Sequence, residues 1–364
     1  MKTTRVSFKR SQLLRTVLLL IVIGLIILPV PACKPADPYP LSLPGRYHVG
    51  FMKISTADQD RGSRQVEITV WYPAKSPGDS ESAEPLKNAE PEARNAPYPL
   101  ILSSTKIAEI LAPKIVSYGF TWASVDKIDY WMSYSEQMIF QPQDILFALD
   151  LIADQPPDGL AGMIDSEHAG TLGYSFDGFN SLAMSGARID PEFYLSQCAD
   201  PDILDSSLQQ GIRNWGYCAL ANKWDSFAAA AGKEITESSD GLWQPLTDPR
   251  IKAVMPMACD GWLMFGERGL AAVDRPILMI VAGDDEVYGE NAMIYEHIGT
   301  DKRGLITFKG LGHMMILNSK QTGRIAHFAV AFFGYYLKGH KDYRKYFSED
   351  FVNQHDELHW GIVN

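Results

Sequence analysis

The chain has 364 residues, 46% of them hydrophobic, enough to bury one large core or a core with an insertion. Its formal net charge is −11, and no basic stripe or arginine–aromatic cluster interrupts the acidic body, which argues against a nucleic-acid partner. Four cysteines and eight histidines are scattered, with no C-x-x-C pair and no zinc spacing, so the pattern offers no metal site and asks for no cofactor.

Lys2, Arg5, Lys9, Arg10 and Arg15 precede an apolar run of 14 residues, 17–30, which leads into Pro31, Ala32 and Cys33. A positive region, an apolar stretch and small residues before a cysteine read as an export signal over residues 1–32. Val30-Pro31-Ala32-Cys33 resembles the bacterial lipobox, which makes Cys33 the expected lipidation site and new N-terminus. Pro31 departs from the small residue usual there. The expected location is the bacterial cell envelope, with the membrane as partner of the lipid. Plain secretion and an uncleaved anchor stay open, although 14 residues fall short of the ~20 needed to span a bilayer. Cleavage would remove five positive charges and no negative ones, taking the net charge from −11 to about −16.

Residues 34–45 are proline-rich and read as part of a tether, 33–45, ahead of a domain over 46–345. Residues 65–72 alternate apolar and polar like a half-buried strand. Residues 76–97 are rich in Ser, Pro, Glu and Ala and read as a solvated loop. Two short apolar runs, 100–102 and 120–125, predict buried strands joined by a helix over 107–118. Ile145, Leu146, Leu149 and Ile152 recur at helical spacing and predict a helix over 143–153. Strands alternating with helices imply a mostly parallel sheet covered on both faces.

The next apolar strand, 168–173, runs into Gly173-Tyr174-Ser175-Phe176-Asp177-Gly178 and then a small-residue helical run, 179–184. A serine in such a strand–turn–helix has its hydroxyl lifted above the sheet, and flanking glycines let strand and helix approach closely. Residues 190–248 break the rhythm and carry Trp215, Trp224, Phe227 and Trp243 with Cys198 and Cys218. They read as an insertion capping the site, or alternatively as a solvent-exposed excursion. In an oxidising compartment Cys198 and Cys218, 20 positions apart, are expected to pair, leaving Cys259 as a buried thiol beside the strand 253–258. Further on, an apolar strand, 277–282, ends in Gly283-Asp284-Asp285-Glu286, and another, 305–308, is followed by Gly310-Leu311-Gly312-His313. Serine, acid and histidine in that chain order match the α/β-hydrolases, not chymotrypsin or subtilisin. Residues 346–364 read as a C-terminal extension. His297 and His327 fall on helical stretches and read as packing or surface residues; His168 starts the nucleophile strand at its far end.

These residues together carry a resemblance. The run from Asp58 to Arg64 leading into Trp71-Tyr72-Pro73-Ala74, the Gly173–Phe176 turn, Asp248-Pro249-Arg250, the acidic turn ending in Val287 and Gly312-His313 are similar to the dienelactone-hydrolase-like α/β-hydrolases. That group also includes the platelet-activating-factor acetylhydrolases and bacterial polyester-cleaving esterases. The likeness spans about His48 to Lys338 and implies an α/β-hydrolase fold with a cap insertion after the nucleophile helix. It implies an ester-cleaving serine hydrolase acting on a small ester or lipid-like substrate, with Ser175 as nucleophile and His313 as base. Asp285 fits the Asp-x-Val spacing of the family, with Asp284 and Glu286 as alternatives. One oxyanion-hole amide should be that of Phe176, the other that of Thr105 or Lys106. Two positions depart from the pattern: Thr105-Lys106 replaces the usual His-Gly, and Asp177 stands where glycine is common, so its side chain should point away from the strand. A hydrolase-fold protein that binds a ligand without turnover is the alternative. A peptidase would need an amine-recognising acidic pair in the cap or a further domain.

Overall fold

The computed structural model describes residues 38–76, 84–126, 134–200, 208 and 216–363. The expected export signal, Cys33 and Trp215 lie outside them. Residues 48–74 form a long antiparallel hairpin, β1 (His48–Asp58) and β2 (Arg64–Ala74), and β2 lies along β5 (Thr121–Asp126). The Asp58–Arg64 run that carried part of the resemblance closes this hairpin. The Asp58 carboxylate accepts the Asp60 and Arg61 amides at 3.1 and 3.3 Å, and Arg64 forks onto Asp144 at 2.8 Å through both Nε and Nη2. A bidentate guanidinium–carboxylate pair fixes direction as well as distance, so the turn is tied to the helix bearing Asp144.

The central strands are β4 (Tyr98–Ser104), β5, β6 (Ile164–Tyr174), β7 (Ile251–Met257), β8 (Ile277–Ala282) and β9 (Arg303–Phe308). They run parallel in the order β9-β8-β7-β6-β4-β5 within a sheet of ten strands. Nearly every residue of β4, β7 and β8 is buried, as expected where helices cover both faces. Helices α1 (Thr105–Val116), α2 (Gln137–Asp154) and α3 (Phe176–Met184) follow β4, β5 and β6. Leu100 and Leu102 of β4 join Ile145, Leu149 and Ile152 of α2 in one core. On the other face Gly170 of β6 leaves room for Phe333, whose ring a Cβ would meet at 2.6 Å. The molecule is thus a mixed α/β structure with a mostly parallel sheet flanked by helices.

Between α3 and β7 lie α4 (Pro191–Ala199), capped by Asp190 accepting the Phe193 amide at 3.1 Å, and α5 (Trp224–Ala231). Cys198 and Cys218 are joined in a disulfide and Cys259 is a buried free thiol. Phe227 stacks on Trp243 at 5.1 Å and Tyr194 on Trp224 at 5.0 Å, in a core continuous with Phe179 and Leu182 of α3. For the described residues the alternative of a solvent-exposed excursion is corrected: Phe227 and Trp243 are buried in this stack of rings.

Several boundaries differ from expectation: β6 starts at Ile164 rather than at 168, so His168 lies inside it, and α1 spans Thr105–Val116 rather than 107–118. Helix α2 begins six residues earlier than expected and runs through Pro142. The hydrogen bond that proline forfeits is offset by burying Met138 and Ile139 in the preceding turn. The end of the presumed tether, 41–45, belongs to the compact unit Leu41–Asn364. Leu41 is buried with its amide on His327 Nδ1 at 3.1 Å, and the Gly45 amide bonds Ser117 Oγ at 2.8 Å. Inside the presumed loop 76–97, Leu86–Lys87 forms a short strand, β3, on β1. The presumed C-terminal extension is an integral part of the sheet, because β10 (Leu358–Trp360) pairs antiparallel with β9 and closes its edge.

Candidate active site

Three loops meet at the C-terminal edge of the parallel strands, the edge where open α/β sheets place their ligands. The first is the β6–α3 turn. Ser175 holds φ 58° and ψ −126°, a strained conformation for a residue with a side chain, and its amide bonds Met257 O on β7 at 2.9 Å. The glycines around it are required by space. A Cβ on Gly173 would sit 2.0 Å from the carbonyl oxygen of Asp177, and one on Gly178 would sit 2.7 Å from Cys259 Cβ. Strand and helix therefore close to a distance no larger residue permits, and the serine is left at the apex.

The second loop follows β8, and the third is a 3-10 turn over His313–Leu317 after β9. His313 Nε2 lies 3.0 Å from Ser175 Oγ, and His313 Nδ1 lies 2.9 Å from Asp285 Oδ2. Asp285 is 7% exposed and its Oδ1 also accepts the Val287 amide at 3.1 Å, which orients the carboxylate. Asp284 and Glu286 are exposed, so of the three acids in the turn the geometry brings Asp285 to the imidazole. The Tyr174 hydroxyl donates to the His313 carbonyl, fastening the third loop to the residue beside the serine. Burial lowers the affinity of the imidazole for its proton, but the hydrogen bond and charge of Asp285, with Asp260 and Glu286 behind it, outweigh that and raise the His313 pKa.

Phe176 opens α3 and Thr105 and Lys106 open α1, so their amides belong to the helix-initial set that has no intrahelical acceptor. The two helices start at the ends of neighbouring strands, β6 and β4. The Asp177 side chain turns toward the end of the neighbouring strand β4. It is buried, and both of its carboxylate oxygens accept the Ser104 amide at 3.1 Å, which binds the start of α1 to the start of α3. A carboxylate in a first helical turn also meets the positive end of the helix dipole, so the burial has two compensations.

Several neighbours of the site carried little signal in the sequence. Asp260 follows the end of β7, and its Oδ1 accepts the Tyr217 hydroxyl at 2.5 Å. Glu290 accepts the Gly261 and Trp262 amides at 2.9 and 3.0 Å, at the head of helix α6 (Trp262–Ala271). An acid just past a strand at the ligand-binding edge was the one available cue to Asp260. Of the other histidines, His168 is exposed on Asp165, His297 packs on Trp262 and His327 is buried. Among the described residues no group of three or more His, Cys, Asp or Glu is placed to hold a metal, and no helix is long and apolar enough to cross a membrane. No protein-family model matches the chain, and no curated protein sequence matches it.

Proposed function

We propose that this protein is an exported serine hydrolase of the α/β-hydrolase fold that cleaves carboxylic esters through an acyl-enzyme. One observation carries the reading: a strained Ser175 bonded to His313, itself bonded to a buried Asp285. In this reading Ser175 Oγ attacks the ester carbonyl while its proton passes to His313 Nε2, since an unassisted hydroxyl is too weak a nucleophile at neutral pH. The Asp285 carboxylate fixes the Nδ1–H tautomer and stabilises the imidazolium. The tetrahedral oxyanion is held by the Phe176 amide and by that of Thr105 or Lys106, and the bond from the Ser104 amide to Asp177, which ties the head of α1 to the head of α3, supports that reading. His313 then gives its proton to the leaving alkoxide, and water, activated by the same imidazole, releases the acid from Ser175. Residues 190–248 act as the cap, and Cys33 carries the lipid that holds the domain at the cell envelope.

A fluorophosphonate probe tests the central claim, because it labels an activated serine and ignores an idle one. Labelling should occur on Ser175 and vanish in Ser175→Ala and His313→Ala, and hydrolysis of p-nitrophenyl esters should fall by about 10³–10⁶ in each. Asp285→Asn should cost about 10⁴ by favouring the wrong tautomer. An unlabelled, inert wild-type protein that still binds esters would replace this reading with ligand binding, and the Thr105-Lys106 departure would be the place to look.

A further inference from the structure

The two most exposed large apolar side chains among the described residues belong to the turn that carries His313. Met314 is 63% exposed and Leu317 64%, whereas Met315 and Ile316 between them are buried. A 3-10 helix has three residues per turn, so side chains three positions apart stand one above the other. Met314 and Leu317 therefore form one apolar ridge along the outside of His313–Leu317, next to the imidazole. The backbone under the ridge is pinned. The Met315 amide bonds Gly312 O at 3.0 Å, the Asn318 amide bonds Met315 O at 3.1 Å, and Thr322 Oγ1 donates to Ile316 O at 2.9 Å. The Tyr174 hydroxyl fastens the head of the same turn. Single exposed apolar residues are ordinary, whereas adjoining ones held rigidly beside a site mark a contact surface.

What passes over the ridge follows from the direction of the reaction. Ser175 Oγ and His313 Nε2 lie 3.0 Å apart, one bonding the carbonyl carbon and the other carrying the proton. As the tetrahedral intermediate breaks down, the bond from that carbon to the alcohol oxygen breaks and its electron pair stays on the oxygen. His313 Nε2 then gives that oxygen its proton, so the leaving oxygen lies within about 3.2 Å of Nε2. The alcohol portion is thereby brought to the His313 turn, while the acyl portion hangs from the carbon bound to Ser175. Met314 follows His313 directly, about 3.8 Å from Cα to Cα, and Leu317 carries the ridge on by one 3-10 turn, about 6 Å. On the Nδ1 side the turn meets the acidic loop instead: Asp285 bonds the ring, and the Asp284 amide bonds Leu311 O at 2.8 Å.

We propose that Met314 and Leu317 are specificity-determining residues that receive the alcohol portion of the ester, so that the preferred substrates are esters of apolar alcohols. The inference rests on reading His313 as the base, and it adds to that reading the side of the ester that is recognised. A fully buried methylene gains about fourfold in transfer from water. A ridge that covers one side of the chain should return about half of that free energy, close to twofold per methylene.

Two ester series test it on the full folded protein: acetates of alcohols from methanol to hexanol, and methyl esters of acids from acetate to hexanoate. In the wild type kcat/KM should rise about twofold per methylene along the alcohol series. Met314→Ser combined with Leu317→Ser should flatten that series, through KM more than kcat, and keep the wild-type slope along the acyl series. Met314→Leu, which restores an apolar side chain, should keep both slopes. A second readout needs no turnover. Titration of 1-octanol into Ser175→Ala protein should move the Met314 methyl NMR resonance, with affinity falling about twofold for each methylene removed from the alcohol. A double variant whose alcohol slope matches the wild type, or whose acyl slope falls equally, overturns the proposal. So does a wild-type dimer that the double variant makes monomeric in sedimentation velocity, since a second copy would then cover the ridge. A protein that cleaves no ester yet gives the octanol response supports the apolar subsite and sinks the hydrolase reading. An inert protein with no octanol response sinks both.

Discussion

The β6–α3 turn and the segment between α3 and β7 touch through Phe176, Phe179 and the cap aromatics, yet different forces shape them. The turn is set by backbone sterics. Two glycines without which strand and helix collide, one strained serine and one interstrand bond from Ser175 to Met257 define it almost without side-chain packing. The segment between α3 and β7 is set by side chains and a covalent bond. Its helices are short, two of its ring pairs stack at 5.0 and 5.1 Å, and Cys198–Cys218 closes it. A turn built from exclusion tolerates no added atom. A segment built from stacking tolerates change until enough of its contacts are lost. His313 meets the turn through its bond to the Ser175 hydroxyl.

The sharpest way to break that contrast is one methyl group in the turn. Gly173→Ala places a Cβ 2.0 Å from the Asp177 carbonyl oxygen and 2.8 Å from Ser181 Oγ. Backbone must move, so the cost should exceed about 3 kcal/mol, with esterase activity lost even in molecules that stay folded. Thermal unfolding and probe labelling of the purified variant check it. A Gly173→Ala protein with near wild-type melting and activity would mean that the turn has slack the geometry denies.

A smaller loss is expected from the cap. Replacing Cys198 and Cys218 with serine opens a loop with a sequence separation of 20. In the chain-entropy model this costs about 3 kcal/mol if the cap unfolds with the rest of the domain. Because the stacked core of Trp224, Phe227 and Trp243 remains, the variant should fold and keep its nucleophile labelling. Its proteolysis should begin within residues 190–248. First cleavage elsewhere would show that the cap does not depend on its disulfide.

How far the sequence disclosed each region follows from the same physics. Strands β4, β5, β8 and β9 and the second half of β6 are short, largely apolar runs, and the serine turn needs small residues at fixed positions, so both leave local marks. Ser175, His313 and the acidic turn were visible for that reason, and Asp285 meets the imidazole where spacing alone left three acids open. Leu41 was invisible as core because what anchors it is His327, 286 residues away. β10 has only three residues, too few for alternation to register. Asp260 and Glu290 each look like an ordinary surface acid in the sequence. Only folding brings them together under Tyr217, and a single carboxylate has no period to betray it.

Asp177 separates the two kinds of construction most finely, because it is a side chain placed inside the turn. Family resemblance suggests glycine there, and glycine would satisfy the backbone equally well. What glycine cannot do is accept the Ser104 amide, which Asp177 holds with both oxygens at 3.1 Å, or receive the Asn180 side-chain amide at 3.3 Å. Asp177→Ala leaves a buried N–H unpaired, an expected loss of about 1–3 kcal/mol, less than that of Gly173→Ala. The functional consequence is the more telling one. If the link keeps the first amides of α1 beside the Phe176 amide, its removal should loosen one oxyanion donor and lower kcat by about 10²-fold with KM nearly constant. Asp177→Asn retains one acceptor oxygen and should fall between the two. Kinetics of the three proteins on one short-chain ester decide it. A stability loss with unchanged kcat would confine Asp177 to holding the fold and require another explanation for how the Thr105 end of the hole is kept in place.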